Sequence, residues 1–252
     1  MPTVTSLLLL LLFIFLDLTR RHIITLVHHL SLLLTGHTRP GIYFYSLIFL
    51  PGVLVHELSH LFFALILRVP AGKIEIFPTF DHDAGEVKLG YVQIAKTDFV
   101  RRSLIGAAPT IVGIAAIYAL ATLNFAFLLS PESPLVYWQL LQTHFLPLDW
   151  LQFFFLYLIF TIASTMFTSR QDRDAWPLLG ILLAIITLLL TLSGALNRVG
   201  QAFVQAIAVL AQTTGASLLL ALTINLIALI PLILLKKILS IITGKKLVTS
   251  HA

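Results

Sequence analysis

Four stretches of this chain, residues 41–67, 103–129, 148–168 and 216–240, are almost unbroken hydrocarbon. Each is about as long as the roughly 20 apolar residues a helix needs to cross a bilayer. A fifth, residues 175–195, opens on Ala175-Trp176-Pro177, and proline suits a first helical turn. In hydrocarbon every backbone N–H and C=O must be satisfied by the protein itself, which leaves helices or closed barrels. Only 11% of the residues are charged and mean hydropathy is +0.99. Soluble domains carry roughly 25% charged residues, so a single soluble helical core would lack the polar surface it needs. The expected fold is an all-α polytopic membrane protein of about five to six transmembrane helices.

Three segments depart from this pattern. SLLLLLLFIFL (6–16) and ITLVHHLSLLL (24–34) flank Asp17, Arg20, Arg21 and His22. They read as one long helix over 4–35 with a charged middle, or as two half-membrane helices, and the single helix is preferred. No cleaved signal peptide is expected, since no positive charge precedes the apolar run and no small-residue site follows it. Residues 72–96 alternate in period two (KIEIF, then EVKLGYVQI) around the turn-rich DHDAG, which predicts a β-hairpin outside the hydrocarbon. In 196–213, Val199, Phe203, Ile207 and Leu210 repeat at helical spacing between glutamines, which predicts an amphipathic helix at the interface.

Charge sets the expected orientation. Loop 68–102 carries Arg68, Lys73, Lys88, Lys96, Arg101 and Arg102, whereas 130–147 carries no Lys or Arg. Arg170, Arg173 and the tail lysines 236, 237, 245 and 246 continue the alternation. By the positive-inside rule 68–102, 169–174 and the C-terminus are cytoplasmic. The net charge of +5 is thus an orientation signal; its basic residues are too dispersed for a nucleic-acid surface. The chain has no cysteine, which removes disulfides, thiolate ligands and a cysteine nucleophile.

VHELSH (55–60) sits inside the first apolar run. Ionisable groups at that depth are costly and usually functional. His56 and His60, four apart on a helix, share a face and can grip one metal ion. Glu57 beside them can take a proton from a water that zinc has acidified. A catalytic zinc site takes three protein ligands and keeps one position open. On the side of His60, near the cytoplasmic end of its helix, the acidic candidates are Asp81, Asp83, Asp98, Asp172 and Asp174. Asp172 and Asp174 stand out because SRQDRDAWP joins two predicted spans.

HELSH on a membrane helix, a short β-rich segment, then GAAPT (106–110) opening the next helix, together resemble the site-2-protease family of intramembrane metallopeptidases. The resemblance covers roughly residues 41–180. It implies Zn2+ as cofactor, His56 and His60 as ligands, Glu57 as catalytic base and Asp172 as third ligand, with membrane proteins as substrates. The family's usual Asn…Pro…Leu-Asp-Gly context is missing: Ser169 and Asp172 stand in its place, and GAAPT has no glycine directly before its proline. The chain therefore reads as a divergent branch, and Asp174 stays a candidate. Two residues apart on a helix, Asp172 and Asp174 point about 200° away from each other, so only one can face the bundle. Asp174, before Ala175-Trp176-Pro177, suits an N-cap.

The domains expected are an N-terminal membrane helix or hairpin (1–40), a metallopeptidase core (41–195) with the hairpin, and a last span with a basic tail (196–252). His28-His29 read as packing or interfacial residues, Asp81-His82-Asp83 as turn chemistry, and Asp17 as an ion-pair partner of Arg20 and Arg21. No phosphate-cradling glycine loop is present. The function expected is intramembrane peptide-bond hydrolysis; the alternative is a non-catalytic scaffold or transporter-like protein with a structural metal, which would need a fourth ligand and no base.

Overall fold

The computed structural model describes residues 2–37, 39–81, 86–88, 90–129, 134–144, 149–167, 172, 181, 185, 189 and 201–244. Among them the chain is mostly helical. Two helices are long and apolar enough to cross a membrane, Phe99–Asn124 and the Ala208–Thr243 stretch, and a bent pair makes a third if it counts as one span. The predicted span 175–195 lies outside the described residues except for three helical positions, 181, 185 and 189.

The N-terminal segment forms one helix, α1 (Pro2–Thr35), with Asp17 at its middle. Asp17 accepts from Arg20 at 2.8 Å and from Arg21 at 2.7 Å, three and four residues on, which pairs these charges within the helix. The expected single span over 41–67 is broken. α2 (Arg39–Ile48) and α3 (Leu50–Ile66) meet at Phe49 with a 74° bend. Pro51 explains the break: it has no N–H for the carbonyl four residues back, and its ring collides with that turn. Next to the elbow the Ile48 carbonyl accepts from the Tyr157 hydroxyl at 2.7 Å.

After α3, Arg68 adopts a left-handed φ of 55° and turns the chain into the β-segment. β1 (Ala71–Glu75) pairs antiparallel with β4 (Tyr91–Ile94), and β2 (Thr79–Asp81) with β3 (Glu86–Lys88). The predicted hairpin is therefore present as two nested arms with an interruption at Gly90. β1 and β4 pack against α3.

α4 (Phe99–Asn124) begins at an N-cap, Asp98, whose carboxylate accepts from the backbone N–H of Val100 (3.1 Å) and Arg101 (3.0 Å). The Arg101 N–H above all holds this carboxyl below its ordinary value. The predicted run to 129 ends earlier, at Asn124, followed by a 3-10 turn, Ala126–Leu128. α5 (Pro134–His144) precedes α6 (Trp150–Thr165), which opens on a capping box between Asp149 and Gln152. α7 (Gln201–Thr243) is one helix of 43 residues. The interfacial helix expected over 196–213 is not a separate element: residues 201–213 are the first turns of α7, which runs on through Gly215 into the apolar run. α1 lies along α7, while α3, α4 and α6 pack on one another. That three-helix cluster carries the site.

Candidate metal centre

Gly52 and His56 are four apart and share a face of α3. A Cβ on Gly52 would run into the Thr161 carbonyl and the Thr165 hydroxyl, so its absence lets α6 cross backbone to backbone. This closeness brings the end of α6 to His56, whose Nδ1–H donates to the Thr165 carbonyl at 2.6 Å. Thr165 is the last residue of α6, and terminal helix carbonyls have no partner in their own helix.

His60, one turn on, meets α4. Its Nδ1–H donates to the Ile105 carbonyl at 2.9 Å. In a regular helix that carbonyl would receive the N–H of residue 109, but residue 109 is proline, inside α4. Pro109 has no N–H to give, and the acceptor it releases is the one that orients His60. Both imidazoles thus donate from Nδ1 to a carbonyl left over by the backbone, which leaves both Nε2 atoms with lone pairs in the neutral rings. Those two Nε2 atoms lie 3.3 Å apart. Lone pair against lone pair is repulsive, and a cation between them reverses the sign. Two nitrogens held tetrahedrally on zinc at 2.0–2.1 Å would stand about 3.3 Å apart.

Asp172 completes the group. Its Oδ1 is 3.7 Å from His60 Nε2, and one ligand atom from each of His56, His60 and Asp172 lies within 4.8 Å of the others. A nitrogen and a carboxylate oxygen sharing a tetrahedral zinc would stand about 3.4 Å apart, so the group closes with a shift of the side chains on the order of 1 Å. This is the sole cluster of three such groups among the described residues. The donor set, two neutral imidazoles and a carboxylate with carbonyl-anchored Nδ1 atoms, fits zinc.

Asp172 is placed by the small face of α4. Gly106, Thr110 and Gly113 follow one another at spacings of four and three. A Cβ on Gly106 would run into the Asp172 carbonyl, and one on Gly113 would come 2.6 Å from Met166 Cβ. Between them the Thr110 hydroxyl donates to the Met166 carbonyl at 3.0 Å. The GAAPT segment therefore does two jobs: glycine admits the Asp172 backbone and proline frees the carbonyl for His60. Gly106→Val is expected to push Asp172 away and weaken any metal binding at the group by at least about 10-fold in a chelator-competition titration. An unchanged affinity would detach Gly106 from the centre. Pro109→Ala returns an N–H to the Ile105 carbonyl. It should weaken metal binding at the group by about 10-fold while leaving the thermal midpoint of the metal-free protein no lower, since proline disfavours a helix interior. Equal affinity with wild type would show that the freed carbonyl is irrelevant to the metal.

Glu57 is buried, at 6% exposure. A Cβ on Gly90 would come 3.0 Å from its Oε1, from the Glu75 carbonyl and from Val53 Cγ1. The interruption between β3 and β4 thus leaves room over the Glu57 carboxylate.

Of the other acidic candidates, Asp98 is spent on the α4 cap and Asp81 lies in β2. Asp83 and Asp174 lie outside the described residues, as do His82 and Ser169. His28 and His29, half-buried in α1, join no metal-type cluster among the described residues. Sequence reasoning missed the Ile105 and Thr165 carbonyls and the role of Gly90. The first was within reach, because a proline inside an apolar helix always releases the carbonyl four residues before it.

No family model matches the chain, and neither a curated protein nor a solved structure matches it.

Proposed function

We propose that this chain is a zinc-dependent intramembrane endopeptidase, resembling a divergent site-2 protease, that hydrolyses peptide bonds within or next to membrane segments of protein substrates. The observation that carries the reading is the convergence of two carbonyl-oriented histidines and Asp172 on one point, with Glu57 on the same helix. His56, His60 and Asp172 would hold the ion, which when bound would supply an acidified water and a Lewis acid for the scissile carbonyl. Glu57 accepts the proton of the attacking water and passes it to the leaving amine nitrogen. The Thr165 and Ile105 carbonyls keep both imidazoles in the tautomer that ligation needs. The open position expected of a catalytic zinc is consistent with a group of three, and that favours hydrolysis over a structural metal.

In this reading α1, the α2–α3 pair, α4, α6, residues 175–195 and α7 make up about five to six membrane segments. The site opens near the cytoplasmic face, and the C-terminus is cytoplasmic. A substrate helix must unwind to present its amide, and β1 or β4 can hold the extended strand by edge addition. Proline scanning of KIEIF tests that step, with unchanged cleavage counting against it.

The test of the function is cleavage of a single-span reporter protein by the purified chain in liposomes. Cutting inside the apolar segment, abolished by a chelator and restored by Zn2+, is the expected result. One equivalent of bound zinc with no cleavage of any such reporter would instead favour a structural metal.

A further inference from the structure

A second feature lies on the other side of the α2–α3 elbow: a cavity of about 540 Å³ enclosed by α1, the elbow, α6 and α7. Its lining is hydrocarbon and aromatic ring, including Val27, Phe49, Leu156, Phe160 and Ile224. The hydroxyl of Tyr157, which also lines it, is engaged with the Ile48 carbonyl. The broken α2–α3 pair opens the space. The 74° bend at Phe49 swings α2 away from α3, and Pro231, inside the continuous α7, lines the space opposite. The mouth faces outward, since Phe153 and Ile227 on its rim are 61% and 41% exposed.

We propose that this cavity holds one hydrocarbon chain of a membrane lipid. Among the described residues its lining offers no charged side chain for a headgroup or ion and no free hydrogen-bonding side chain for a peptide. Size decides between the remaining apolar occupants. A helix about 10–12 Å across would fit for about one turn only. By contrast, a cavity of about 150 Å³ holds benzene, so on that scale 540 Å³ takes roughly twenty carbon atoms, the size of one acyl chain. The surrounding solvent supplies that occupant, because the cavity opens between α6 and α7 into the region where apolar side chains face the bilayer. Phe49, stacked on Tyr45 at 4.1 Å and packed on Phe160 at 5.2 Å, forms one wall and begins the path into α3.

The site can be read independently of peptidase activity. The full chain is placed in nanodiscs of a phospholipid carrying a diazirine midway along one acyl chain, irradiated, digested and analysed for adducts. Adducts should concentrate in 153–160 and 224–232, severalfold above those at outward-facing Leu234 and Ile238. They should fall in Ala228→Trp, which fills the cavity. Ile227→Trp, at the exposed rim, should also lower them and does not depend on refilling the interior. Adducts no denser at the lining than at Ile238, or unaffected by either variant, would overturn the assignment. So would cross-linking of a reporter helix into the cavity with no lipid adduct there.

Discussion

Asp172→Ala is expected to abolish peptide hydrolysis and to leave the purified protein with little zinc. Removing a residue that merely supports a ligand typically costs 10–100-fold in metal affinity, so losing a ligand should exceed about 100-fold. The carboxylate also supplies the only negative charge in the group; without it two neutral imidazoles face the ion alone. Folding is not expected to fail, because Asp172 is half-buried and its backbone, not its side chain, packs on Gly106. Asp174→Ala is the contrast: it should keep zinc and lose about 1 kcal/mol as a removed helix cap. Zinc content by elemental analysis separates the two, and zinc retained in Asp172→Ala but lost in Asp174→Ala would reverse the assignment.

Glu57→Gln should behave in the opposite way, keeping zinc and losing turnover. Glutamine preserves the volume beside Gly90 and Val53 but cannot accept the proton of the attacking water. General-base removal costs about 10²–10⁴ in rate, so cleavage of the liposome reporter should fall to the edge of detection. The diagnostic feature is the combination, full metal with no turnover. Cleavage within about twofold of wild type would exclude Glu57 as the base and with it the hydrolytic mechanism. Loss of zinc together with activity would show instead that Glu57 acts on the metal.

How much of this was legible in the residues varies by element. His56, Glu57 and His60 were readable because i and i+4 geometry is local and an apolar run leaves three ionisable side chains conspicuous. The hairpin was readable as alternation, and the ion pairing of Asp17 as spacing. The bend at Phe49 was less so: Pro51-Gly52 stands in plain view, yet proline is common in membrane helices and a continuous kinked span was equally compatible with it. The joined α7 shows the reverse error, since amphipathic spacing over 196–213 describes which side chains are polar and not where the helix ends.

What the sequence determined by itself was the apolar composition, the helical class and the His56–His60 pair on one helix face, all set within a few residues of one another. What only the tertiary structure decided was which backbone groups aim that pair and that Asp172 lies beside it. Asp172 is more than a hundred residues from His60, and its approach depends on a missing Cβ at Gly106. The Ile105 carbonyl is freed by Pro109 but becomes an acceptor for His60 only because α3 and α4 pack at that level. Contacts between distant segments depend on how small faces let backbones meet, and that is a property of the packed helices together.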